Sequence, residues 1–150
     1  MKLILFFLLL TTSSCYLVTG FKTRSFSYAD DKQQNHSFKL QVPRGYLTEK
    51  ITNDSAGGKE QLYKYSNGTL FYVAYAPDTS KTFQPIKEED HIPLQHPQGG
   101  WIYKGVGKDG LYWREIRQDS LRFGYRFVPG ILEAKFDEAL NFNSLQKVKR

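Results

Sequence analysis

Between Leu121 and Val128 the residue type changes at nearly every step: Leu121, Phe123, Tyr125 and Phe127 alternate with Arg122, Gly124 and Arg126. Side chains of an extended chain point alternately to opposite faces. This order therefore predicts a strand with a dry face built from the four apolar residues and a wet face carrying both arginines. A strand dry on one side only belongs to a half-buried, antiparallel sheet. Just upstream, Leu111 to Arg117 is rich in aromatic and β-branched residues, and Gln118-Asp119-Ser120 supplies polar turn residues, so the two segments are expected to form a hairpin.

The same period recurs along the chain. Phe38, Leu40 and Val42 alternate with polar residues and are stopped by Pro43-Arg44-Gly45, which predicts a strand and a turn. Gln61 to Tyr65 and Thr69 to Tyr75 flank Ser66-Asn67-Gly68, and Asn-Gly there suggests a hairpin closed by a type I′ turn. Thr52 to Lys59 reads as a loop, and Trp101 to Lys104 as a further strand. After Pro129-Gly130 the period changes: Leu132, Phe136, Ala139 and Leu140 fall on one face of a helix expected over Ile131 to Phe142. The fold class expected is α+β: an antiparallel meander sheet of about six strands, with a C-terminal amphipathic helix packed on one face. With 15% aromatic residues and 40% hydrophobic residues, 150 residues suffice for one such domain and leave little room for a second.

The N-terminus carries an address. Lys2 is followed by an apolar run from Leu3 to Leu10, too short for a bilayer span of about 20 residues but suited to an export signal. Thr12-Ser13-Ser14 then places small residues directly before Cys15, the only cysteine. That arrangement resembles the lipobox of bacterial lipoproteins, with Thr12 where Leu is usual, and implies a lipid attached at Cys15. Val18-Thr19-Gly20 offers a rival cut after Gly20 by an ordinary signal peptidase. A secreted body stapled by disulfides needs paired cysteines, and the chain beyond Cys15 has none. The organisation expected is therefore a signal over residues 1–14, a tether over 15–36 and a single domain over 37–150. Three sequons, at Asn35, Asn53 and Asn67, keep a secreted, glycosylated reading open. The net charge is +6, and losing Lys2 with the signal leaves +5. A mildly basic domain favours anionic neighbours.

Candidate chemistry is sparse. Gly105-Val106-Gly107-Lys108-Asp109-Gly110 spells the dinucleotide-binding pattern G-x-G-x-x-G, but it leads into a strand instead of a helix N-terminus, so a glycine-rich hairpin loop is expected. His91 and His96 are weak metal-ligand candidates in a proline-containing loop; their spacing fits no helical metal motif, and surface positions are expected for both. No Gly-x-Ser-x-Gly elbow occurs, and no pair of acids stands out for hydrolysis, so the chain reads more readily as a non-catalytic module without a cofactor. Arg122, Arg126, Tyr112 and Arg114 are candidate contacts for an anionic ligand or an envelope protein, interleaving basic and aromatic groups on the sheet's wet face. Nucleic acid is not an expected partner of an exported chain. The alternative is a secreted ligand carrier or hydrolase with the 77–100 loop as a lid.

Phe38-x-x-x-Val42-Pro43-x-Gly45-Tyr46 at the start of the body, the meander after it and Phe136-Asp137-x-x-Leu140 in the closing helix resemble PsbP-like envelope domains. The resemblance implies an α/β/α sandwich on an antiparallel sheet and an accessory or binding role. It carries over no site residue.

Overall fold

The computed structural model describes residues 20–77 and 93–145. The strands are β1 (Phe21–Ala29), β2 (Asn35–Pro43), β3 (Tyr46–Asn53), β4 (Lys59–Tyr65), β5 (Leu70–Tyr75), β6 (Leu94–Gln95), β7 (Trp101–Val106), β8 (Tyr112–Gln118) and β9 (Leu121–Val128). Among the described residues one helix, α1 (Gly130–Leu145), follows them. Strands β3 to β9 form an antiparallel sheet in the order β3-β4-β5-β9-β8-β7-β6, while β1 and β2 pair as a separate hairpin. The expected α+β class, with an antiparallel sheet and a closing helix, is the fold observed.

The hairpin and the helix cover one face of the sheet, because each presents an apolar side that only burial satisfies. Phe26, Phe38, Leu40 and Val42 from the hairpin join Phe136, Ala139 and Leu140 of α1 and the inward residues of the sheet in one core. Rings interlock across the layers: Phe38 meets Phe123 at 5.8 Å between centroids, and Phe136 meets Tyr65 and Tyr125 at 5.3 and 5.8 Å. Each fully buried side chain of this size contributes about 1.5–3 kcal/mol. Asn143 ties helix to hairpin by accepting from the Gln41 N–H at 2.7 Å and donating to the Gln41 carbonyl at 3.0 Å.

Three corrections follow. First, the stretch expected to be tether is largely folded, since β1 begins at Phe21 and pairs with β2 along its length. Its signal is weak because Phe26 is the one strongly buried residue among FKTRSFSYA. Second, β3 was not visible as a strand: it lies at the edge of the sheet, none of its residues is buried, and alternation has nothing to mark. Third, the apolar face of β9 is broken near its end. Arg114 pairs with Tyr125 and Tyr112 with Val128, so Arg126 and Phe127 together oppose Trp113. That extra residue is a β-bulge. It turns Val128 inward in place of Phe127, which is 46% exposed and held at φ 58°.

Five hairpin ends share one loop geometry. At Tyr65, for example, the carbonyl accepts from the Gly68 N–H, and the Tyr65 N–H donates to the Thr69 carbonyl. The same pair of bonds recurs from Asp30, Asp54, His96 and Gly107, and the fourth residue has positive φ each time: Gln33, Gly57, Gly99 and Gly110. This is a type I turn followed by a left-handed residue, the three-residue alternative to the type I′ turn expected at Asn67-Gly68. Asn67 spends its side chain on the loop, its Oδ1 accepting from the Thr69 N–H at 3.1 Å. Gly107 to Gly110 is thus a hairpin loop, as its context between two strands predicts.

Candidate functional site

The face of the sheet opposite the helix carries a buried polar cluster. One row across the strands runs Leu62, Tyr72, Gly124, Glu115 and Tyr103, each paired with the next. Gly124 makes the row possible. A Cβ there would lie 2.2 Å from Tyr72 Cζ, so only glycine lets the Tyr72 ring lie across β9. The phenol then donates to Glu115 Oε2 at 2.6 Å, and Arg117 Nε donates to Glu115 Oε1 at 2.6 Å. Arg117 also stacks on Tyr103 at 4.2 Å from the ring centroid. Tyr72 and Glu115 are buried, and burial together with the neighbouring carboxylate pushes the Tyr72 phenol well above its ordinary pKa.

Arg122 and Arg126 flank Gly124 on this same face. Arg126 lies 5.9 Å from the Tyr72 ring, and Arg122 sits in register between Ala74 and Arg117. Trp101, paired with Arg117, continues the row of Arg122 and is 49% exposed. Glu60, paired with Ala74, has its carboxyl pKa raised by burial, against the pull of Arg126 and Lys50. Arg122 and Arg126 thus share one face, but that face is largely covered: Tyr72, Ala74, Tyr103 and Glu115 around them are buried and both arginines are half-buried.

Tyr112 and Arg114 do not belong to that group. Both lie on the helix side of the sheet: Tyr112 packs against the core, and Arg114 Nη1 bonds Asp137 of α1 at 2.9 Å. Asp137 also accepts from the Tyr125 hydroxyl at 2.8 Å, while Arg114 Nε is buried without a hydrogen-bond partner. The four residues proposed as one contact surface are split between two faces.

His96 is not a surface residue; it is 5% exposed and wedged between the sheet and the end of α1. The Gln98 backbone N–H donates to His96 Nδ1 at 3.2 Å, and Gln118 Nε2 approaches the same nitrogen at 3.3 Å. Two donors on Nδ1 place the ring proton on Nε2, which faces Ser144 Oγ at 3.3 Å. The serine in turn donates to the Asn141 carbonyl at 3.0 Å. A serine that receives from histidine and donates to backbone is not activated as a nucleophile. Burial, helped by the nearby Arg114 charge, lowers the His96 pKa. Among the described residues no three His, Cys, Asp or Glu side chains group to hold a metal.

Cys15, His91 and most of the 77–100 loop lie outside the described residues. No helix among the described residues is long and apolar enough to cross a membrane. The missed residues are Tyr72, Glu115 and Gly124. A glycine in the middle of an otherwise regular strand was their signal, since it marks close approach by another group. In comparisons with known proteins, no family model matches the chain, and neither does any curated protein or solved structure.

Proposed function

We propose that the chain is an exported, lipid-anchored domain of a cell envelope, held at the membrane through Cys15 and working as a non-catalytic binding or accessory module. One observation carries the reading: the only cysteine follows small residues directly after an apolar run too short to span a bilayer. The start of the fold supports it, because β1 begins at Phe21 and an anchor at Cys15 would sit next to a folded body. The core holds together through aromatic packing, and Cys15 has no other cysteine to pair with.

The polar clusters favour binding over catalysis. His96 and Ser144 hydrogen-bond to each other and to the chain, while Glu115 is held by Tyr72 and Arg117. The binding surface we assign is the sheet face bearing Arg126, Arg122 and Trp101. Its chemistry suits an acidic protein segment or an anionic glycan, which guanidinium groups engage in pairs of hydrogen bonds. Cys15→Ser tests the anchorage: the variant should accumulate as unprocessed precursor and leave the acylated membrane fraction. Unchanged processing and membrane association would refute it. A second reading, secretion with a cut after Gly20, is favoured by the exposure of all three sequon asparagines, Asn35, Asn53 and Asn67. Glycan mass on the mature chain would select it.

A further inference from the structure

The end of the domain from which the chain leads back to Cys15 exposes four large apolar side chains; among the described residues four more, Ile51, Leu94, Trp101 and Phe142, are exposed elsewhere. The Arg44 N–H donates to the Gly20 carbonyl at 3.2 Å, and Arg44 Nε donates to the Phe21 carbonyl at 3.1 Å, so Gly20 is pinned beside the β2–β3 turn. Lys135 Nζ lies 3.6 Å from the Phe21 ring centroid, which brings the first turns of α1 to the same place. Next to them a groove of about 370 Å³ is lined by Leu47, Ser66, Asn67, Thr69, Leu132 and Phe136 among others. Thr69 Oγ1 donates to the Phe127 carbonyl at 2.8 Å, and Val106 pairs with Tyr112, which pairs with Val128. Gly20, Leu47, Val106, Phe127 and Ile131 therefore share one end of the sheet.

Four large apolar side chains face water there: Leu47 is 69%, Val106 54%, Phe127 46% and Ile131 92% exposed. Leaving such groups in water is unfavourable, and Phe127 is also held at φ 58°, a conformation that costs a bulky residue energy. Lys22, Arg44 and Lys108 are exposed around them, against Asp109 and the half-buried Glu133. Apolar groups ringed by cations suit the boundary between anionic headgroups and acyl chains.

We propose that this end of the domain rests on the membrane surface, with Leu47, Val106, Phe127 and Ile131 dipping into the headgroup layer of an anionic bilayer. The inference rests on anchorage at Cys15. From Cys15 to Gly20 the chain takes five residue steps, which reach roughly 18 Å when fully extended. A domain of this length is about 35 Å across. So short a leash keeps the end bearing Gly20 at the bilayer and the opposite end, with the β1–β2 and β3–β4 turns, away from it. The basic ring then meets anionic headgroups, and the strained Phe127 gains an apolar environment that water denies it.

The test uses the full chain, expressed from Met1, recovered from membranes and placed either in phosphatidylethanolamine/phosphatidylglycerol vesicles or in neutral detergent. Intact mass first reports the acyl group on Cys15, and amide hydrogen exchange then compares the two ends. Slower exchange in vesicles is expected at residues 44–48, 106–111 and 127–132 and not at 30–34 or 54–58. Leu47→Glu/Ile131→Glu, both at exposed positions, should lose that slowing with acylation and thermal unfolding unchanged. An acylated protein whose two ends exchange alike in vesicles and in detergent overturns the orientation and leaves the anchor standing. A chain without acyl mass removes the anchor, and this inference with it. A glycan on Asn67, at the same end, would also overturn the docking.

Discussion

Gln33 closes the β1–β2 turn at φ 61°, where the equivalent positions in four other loops hold glycine. A residue with a Cβ pays about 1–2 kcal/mol in this conformation, partly offset by the freedom glycine loses on folding. Gln33→Gly should therefore raise stability by about 0.5–1 kcal/mol in chemical denaturation, whereas a loss would show that the Gln33 side chain contributes more than its backbone costs. Gly124 makes the opposite demand. A methyl group there meets the Tyr72 ring, so Gly124→Ala should push the phenol off Glu115 and cost about 1–3 kcal/mol. His96 supplies a pH signature. Its pKa is lowered in the fold from the ordinary 6.5, so the unfolded chain binds more protons in the window just below that value. The stability it contributes is complete above 6.5 and declines as pH falls toward the folded pKa. The groups facing it are Gln118 and Arg114 from β8 and Ser144 from α1. Thermal unfolding should show stability falling as pH drops below 6.5, a fall that is flattened in His96→Gln. An equal drop in both would assign the effect to other groups.

At the scale of elements, β9 shows what alternation reveals and where it stops. Leu121, Phe123 and Tyr125 are buried, as the period of two predicts, but Phe127 is not, because the bulge opposite Trp113 adds a residue. Phe123→Ala should cost about 3–5 kcal/mol and Phe127→Ala within about 0.5 kcal/mol. Side-by-side denaturation yielding equal losses would contradict the bulged register. The helix was legible because Leu132, Phe136, Ala139 and Leu140 keep one apolar face, with Ile131 and Phe142 standing outside it. The edge strand β3 and the hairpin strand β1 were not, since strands with few buried residues carry little pattern in their side chains. The polar row of Tyr72, Gly124 and Glu115 joins residues on three different strands. Its members become neighbours only through the order in which those strands pair. The division of Arg114 from Arg122 between two faces likewise depends on register, which no short stretch of sequence states.

For the whole molecule, the proposed anchor, the proposed membrane-facing end and the proposed binding face share one geometry. The strands run between the end that carries Gly20 and the end that carries the β1–β2 and β3–β4 turns. The face with Arg126 and Trp101 lies on the side of the sheet away from α1. Replacing Arg122 and Arg126 together with glutamine should weaken capture of anionic polysaccharide, most clearly at low salt. Unchanged capture would move the binding function elsewhere on the domain. Everything in this arrangement depends on the lipid proposed at the chain's only cysteine. The most direct test is the intact mass of the mature protein extracted from membranes of the native host. A chain that begins at Cys15 and carries the mass of diacylglycerol is the result predicted. A chain that begins at Phe21 with no lipid mass would contradict the account.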